Sequence, residues 1–221
     1  MQATIHNMST RSKSAAFDAS EAVVAAAKLA ANPKRTKRQL REALSLLQRA
    51  ATAGHGEANY ALGNWHLHGI AVRKNYKRAA DFMAKAARLG EADAMFDLAV
   101  CYETGKGRSK NAKKAFNLYR EAAKHGDVDS AAAVARCLYY GIGHREDRAE
   151  AVRWFVVAAV GGRSDAQYAV ALSYEFGDGV RSNLKKAWLW YNRAAKQGDE
   201  GAKRAARDVS QKLRRARKES E

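Results

Sequence analysis

The apolar positions of this chain form one helical pattern that recurs in register. Between Asn183 and Gly198, apolar side chains fall at Ala187, Trp190, Tyr191 and Ala194, the i, i+3, i+4, i+7 intervals of a single helical face. The same face recurs upstream as Ala151, Trp154, Phe155 and Ala158, then Ala115, Leu118, Tyr119 and Ala122, then Ala79, Phe82, Met83 and Ala86. The step is 36 residues each time, with no insertion or deletion. A glycine closes every copy, at Gly54, Gly90, Gly126, Gly162 and Gly198, and an Ala-Ala pair stands shortly before it. Columns in such phase over five copies predict a repeat protein.

Each unit divides into a helix A, a glycine turn and a helix B. Helix A carries a small-apolar frame at Ala58, Leu62 and Gly63, then Ala94, Leu98 and Ala99, then Ser130, Val134 and Ala135, then Ala166, Val170 and Ala171. The turn opens on Gly69, Gly105, Gly141 and Gly177, where the chain leaving a helix needs a left-handed backbone. Asn75, Asn111, Asp147 and Asn183 follow, placed to cap helix B with a side-chain oxygen. The predicted organisation is a flexible N-terminus over 1–18 and a degenerate capping repeat over 19–54, its first helix Ala19 to Ala31 ended by Asn32-Pro33. Four full repeats follow at 55–90, 91–126, 127–162 and 163–198, then a basic capping helix and tail at 199–221.

Composition narrows the class. Of 221 residues 47% are hydrophobic and one is proline, which suits a continuous core of close-packed helices. No apolar run reaches the roughly 18 residues of a membrane span, and Met1 to Ala15 lacks the apolar centre of a secretory signal, so the expected compartment is the cytoplasm. Cys101 and Cys137 lie one repeat apart in the same column and read as buried thiols. The net charge of +17 implies attraction to acidic proteins, nucleic acids or an anionic surface.

A pattern of A-x-Y-x-L-G, a Y-x-x-G-x-G-V turn and a W-Y-x-x-A-A-x-x-G close resembles the Sel1-like repeat, a relative of the tetratricopeptide repeat. It is carried by Ala58-Asn-Tyr-Ala-Leu-Gly63 with Gly69, and by Ala166-Gln-Tyr168, Tyr174, Gly177-Asp-Gly-Val180 and Trp190-Tyr191. His66 stands where the family prefers Tyr, and Arg108 and His144 where it prefers Val. The resemblance implies an all-α, right-handed α-α superhelix, or solenoid. It also implies an adaptor role of the kind found in bacteria and eukaryotes, with the A helices lining a concave face.

On that face four outward columns become candidates. Two of them supply the candidate groove residues Asn64, His68, Val100, Thr104, Arg136, Tyr140, Leu172 and Phe176, which shift from polar to apolar and aromatic along the chain. The alternative is that Tyr140, Leu172 and Phe176 complete packing between repeats. The acidic column Glu57, Asp93, Asp129 and Asp165 sits in the first turn of each helix A, where the helix dipole favours it. His66 and His68 are two apart and face differently, so no metal site is expected, and no cofactor motif occurs. Cations gather at the start of helix B: Lys74, Lys77 and Arg78; Lys110, Lys113 and Lys114; Arg145 and Arg148; Lys185 and Lys186. Stacked repeats would align them into one edge, to which Arg214 and Arg215 are added; no stacking aromatics are expected among them. The chain therefore reads as a non-enzymatic scaffold binding a protein or acidic peptide through groove and edge. The alternative is a solenoid binding nucleic acid, RNA in particular, along the edge, and solenoid edges leave self-association open.

Overall fold

The computed structural model describes residues 17–218, which form eleven α-helices. In order these are α1 (Ala19–Ala31), α2 (Lys37–Thr52), α3 (Gly56–His68), α4 (Tyr76–Arg88), α5 (Ala92–Thr104), α6 (Ala112–Lys124), α7 (Val128–Tyr140), α8 (Arg148–Val160), α9 (Ser164–Phe176), α10 (Leu184–Lys196) and α11 (Glu200–Lys218). The main packing runs between consecutive helices, and no strand occurs among the described residues. The molecule is an all-α solenoid, as the pattern predicts.

The glycine columns set the two kinds of turn. Where an A helix gives way to a B helix, Gly69, Gly105, Gly141 and Gly177 take left-handed backbone, with φ between 68° and 82°. The chain is then pinned back by N–H donors of Asn75, Asn111, Asp147 and Asn183 to the carbonyls of His66, Tyr102, Leu138 and Tyr174. Each of those four side chains also accepts from the backbone N–H three residues on, filling an otherwise unpaired donor. The second glycine of the turn has a different task. A Cβ on Gly107 would sit 2.1 Å from the Tyr76 carbonyl oxygen, and on Gly143 2.2 Å from that of Ala112. This is where one repeat's turn lies against the start of the preceding helix B.

The alanine columns are the buried seam. Ala43, Ala79, Ala115, Ala151 and Ala187 are buried, as are Ala50, Ala86, Ala122, Ala158 and Ala194. Small side chains there let helices approach closely, and a methylene added to so tight a contact costs about 1–3 kcal/mol. On the helix B face Met83, Tyr119 and Tyr191 are buried, but Phe82, Leu118, Trp154, Phe155 and Trp190 are only half-buried, so the face expected to be uniformly buried is narrower than the pattern suggests.

The ends differ from the middle. The N-terminal pair α1–α2 turns without glycine: Thr36 and Gln39 form a capping box instead. The expected flexible N-terminus lies outside the described residues apart from Phe17 and Asp18. Asp18 caps α1, and the Arg49 guanidinium lies 4.2 Å from the Phe17 ring centroid. At the other end α11 buries Ala202, Ala206 and Val209 and runs on to Lys218 without the turn of the other A helices.

Candidate functional site

Successive A helices are tied side by side. Tyr60 Oη donates to Asp97 at 3.0 Å, linking α3 to α5, and Arg136 Nη2 donates to Glu103 at 2.7 Å, linking α7 to α5. Arg163 bridges Asp129 and Asp165 between α7 and α9, and Lys212 Nζ donates to Glu175 at 2.7 Å, linking α11 to α9. The B helices reinforce two of these ties: Tyr119 Oη donates to Glu103 at 2.7 Å and Tyr191 Oη to Glu175 at 2.8 Å. Glu103 is pulled in opposite directions, raised by burial and lowered by hydrogen bonds from Tyr119 and Arg136; the bonds win and its carboxyl stays below its usual range. Burial pushes the Tyr60 hydroxyl up to about 12 and raises Asp97.

Between these ties the A-helix face opens into a trough. One concavity of about 470 Å³ is lined by Phe96, Val100, Arg136, Tyr140 and Phe155, with Glu103 and Arg163 at its polar margin. A second, of about 390 Å³, shares Tyr140 and Phe155 and adds Leu172, Phe176, Tyr139 and Asp178. A third, of about 420 Å³, shares Leu172 and Phe176 and continues to Lys212 and Arg215 on α11. The structure thus brings together Val100, Arg136, Tyr140, Leu172 and Phe176. Asn64, His68 and Thr104 line none of these three concavities, and the Thr104 hydroxyl donates to the Val100 carbonyl of its own helix.

The aromatic candidates do not complete inter-repeat packing. Tyr140 is 67% exposed and Phe176 70%, whereas Leu172 is half-buried and does pack against the core around Tyr191 and Ala187. Phe155 is the residue the sequence reading missed, because its column is the core face of helix B. In the repeats on either side that column holds Tyr119 and Tyr191, each reaching a glutamate, whereas here Tyr139 replaces the glutamate and Phe155 the tyrosine. Tyr139 turns instead to Asp178, 2.7 Å away, which also accepts from Arg148 at 3.0 Å; those bonds, Tyr139 first, hold the Asp178 carboxyl low. An alternation of two repeats in these columns was the signal available.

The acidic column is structural at its C-terminal end, where Asp129 and Asp165 share Arg163. Hydrogen bonding to Arg163 holds Asp165 below its usual range. His66 is buried and stacked on Phe82, with ring centroids 5.5 Å apart, while His68 is exposed. No group of three metal-ligating side chains occurs among the described residues. Burial raises both thiols, Cys101 and Cys137, away from the reactive thiolate form.

The edge cations Lys74, Lys77, Arg78, Lys110, Lys113, Lys114, Arg145, Arg148, Lys185 and Lys186 are all exposed. The contacts of Gly107 and Gly143 with the preceding helix B put successive helix B starts next to one another, so these residues run along one edge. Arg148 is ion-paired with Glu146 and Asp178. Arg214 and Arg215 do not act together: Arg214 lines a concavity against α10, Arg215 the end of the trough. The expectation that no aromatics accompany the stripe is corrected. Lys74, Lys114, Arg148 and Lys186 lie 5.0–5.4 Å from the ring centroids of Tyr76, Tyr102, Tyr139 and Tyr174.

Comparison with known proteins agrees with this architecture. The Sel1 repeat model matches residues 24–55, 56–91, 92–127, 128–159 and 164–199. A Sel1 repeat protein from Oxalobacter formigenes superposes with a TM-score of 0.77 at 26% identity, over 85% of this chain and 77% of that one. A protective antigen of uropathogenic Escherichia coli strains shares the fold with a TM-score of 0.52 at 22% identity, over 86% of this chain and 48% of that one. No curated protein sequence matches significantly. With five matches covering most of its length, this chain belongs to the Sel1 repeat family.

Proposed function

We propose that this chain is a non-enzymatic scaffold that binds a protein segment in the trough formed by α5, α7 and α9. Tyr140, Leu172 and Phe176 act as its anchors. Sel1 repeat proteins are generally protein–protein interaction scaffolds, which supports the class. The observation that carries the site is the exposure of Tyr140 and Phe176 on either side of Leu172, above a concavity floored by Phe155. Aromatic side chains that already stand in a pocket lose little conformational freedom on binding and so make effective anchors.

The trough's carboxylates support a binding role over a catalytic one. Glu103, Asp129, Asp165 and Asp178 are each engaged by a tyrosine or an arginine, an arrangement that fixes the charge of these four and does not poise them to move a proton. The cationic edge and Arg215, at the trough's end, favour an acidic partner, drawn in by long-range attraction that weakens as salt is added. The reading includes the cytoplasm as the compartment, on the strength of two unpaired buried thiols.

Replacing Tyr140, Leu172 and Phe176 together by alanine tests this. Partner retention on an affinity column should fall at least roughly thirtyfold, the scale of losing one hot-spot side chain, while far-ultraviolet circular dichroism stays unchanged. Undiminished retention by the folded variant would remove the trough from the account.

A further inference from the structure

Position 188 departs from the repeat. Of its counterparts, Ala80, Phe116 and Val152 are buried and Leu44 is half-buried. In two of those cases the covering group belongs to the next repeat's turn: Arg108 Nη2 reaches the Ala80 carbonyl at 3.2 Å, and the His144 ring stacks on Phe116 at 4.7 Å. After α10 no such turn comes, because α11 continues as helix to Lys218. The side chain left uncovered there is a tryptophan, 38% exposed.

Trp188 forms one wall of a concavity of about 480 Å³ between α10 and α11. Lys203, Arg207 and Arg214 stand around it with Asn192, and no carboxylate lines it. Arg207 and Arg214 make no ion pair among the described residues; Lys203 reaches Glu200 at 3.2 Å. A further repeat docking here would meet two arginines, Arg207 and Arg214, that no carboxylate neutralises. The site is continuous with the cationic edge, since Lys185 lies three residues before Trp188 on the same helical face.

The edge itself is not explained by helix stability. Its cations sit at the starts of B helices, where the dipole disfavours positive charge by about 0.3–1 kcal/mol each. The first turns of α4, α6 and α10 contain no acidic residue to offset them. A positive edge with no acid in three of its helix starts, ending at an exposed indole flanked by two arginines, fits a ligand that is both polyanionic and aromatic.

We propose that this surface binds single-stranded nucleic acid. The phosphates follow the helix B starts, and one base stacks on Trp188 with its phosphate between Arg207 and Arg214. An acidic peptide would use the cations and leave the indole without a stacking partner; a nucleotide uses both.

Fluorescence anisotropy with a labelled oligoadenylate of about twelve nucleotides tests this, within the range of known single-strand site sizes. Binding is expected at low salt and should weaken steeply as salt rises. Trp188→Ala should weaken it roughly five- to hundredfold and Trp188→Phe far less, with helical content unchanged in both. Arg207→Gln with Arg214→Gln should weaken binding and flatten its salt dependence. An abasic strand of equal length should bind wild type only as well as oligoadenylate binds the Trp188→Ala protein. Tyr140→Ala with Phe176→Ala should leave oligoadenylate binding unchanged, so this proposal and the trough stand or fall separately. No binding at low salt, indifference to Trp188→Ala, or equal affinity for the abasic strand would each overturn it. An oligoglutamate of equal charge that binds as tightly would assign the surface to acidic peptides instead.

Discussion

Tyr119 shows how one side chain serves both fold and site. Its ring is buried against Phe96, with centroids 5.5 Å apart, and its hydroxyl holds Glu103, which in turn holds Arg136 on the next A helix. Tyr119→Phe keeps the ring and removes the donor, leaving a half-buried carboxylate with one partner fewer. Thermal or urea unfolding should register a loss of about 1.5–3 kcal/mol, the worth of one hydrogen bond to a charged group. The sign of the pH effect follows from Glu103, whose folded pKa lies below its usual 4.5. Its contribution is complete at neutral pH and is lost as pH falls from about that value through the folded one. The Tyr119→Phe protein should therefore lose less stability than wild type when both are acidified from pH about 6 to about 3, measured by chemical denaturation. The sequence placed Tyr119 on the buried face of helix B, but nothing in a one-repeat period announces its partner. That glutamate recurs only in alternate repeats, and its bond crosses from the preceding helix.

At the scale of the element, the turns divide glycine's work in two. Gly90 and Gly107 both hold positive φ, at 95° and 76°. A side chain on Gly90 would meet open space, whereas one on Gly107 would collide with the Tyr76 carbonyl. Gly90→Ala should cost about 1–2 kcal/mol of unfolding free energy, from left-handed backbone alone. Gly107→Ala should cost clearly more, because the collision forces the second and first repeats apart. Equal costs in a denaturation series would show that the turn does not set repeat spacing. The structure offers its own comparison: Ala71 occupies the column of Gly107 at φ 54°, in the turn that follows the glycine-free N-terminal pair. The helices were legible because a full period of apolar positions, caps and glycines agreed in every copy. The start of α2 at Lys37 was not, since its Thr36–Gln39 box lies in a connector dominated by cations.

As a whole molecule the solenoid depends on its ends. Val209, Ala202 and Ala206 of α11 complete the core around Tyr191 and Ala187, and Lys212 supplies the second partner of Glu175. A chain ending at Gly198 should lose more helical signal than the α11 residues themselves account for, because α9 and α10 are left with an uncovered apolar face. Circular dichroism matching a simple subtraction of α11 would contradict that coupling. Charge is polarised across the same body, with acids in the first turns of the A helices and cations at the starts of the B helices. The trough's position was only half legible. The columns of Val100, Arg136, Tyr140, Leu172 and Phe176 point into it, but its floor is Phe155, a residue whose column is buried as a tyrosine in both neighbouring repeats.

The most direct test of the trough as the partner-binding site places a photo-crosslinking amino acid at Phe176 and, in a separate protein, at Val157, an exposed apolar position on α8 that lines none of the three trough concavities. Identification of the crosslinked species by mass spectrometry should give a protein partner at position 176 that is absent at 157, and that disappears when Tyr140 and Leu172 are replaced by alanine. The same partner captured equally at both positions, or capture unaffected by those replacements, would contradict the account.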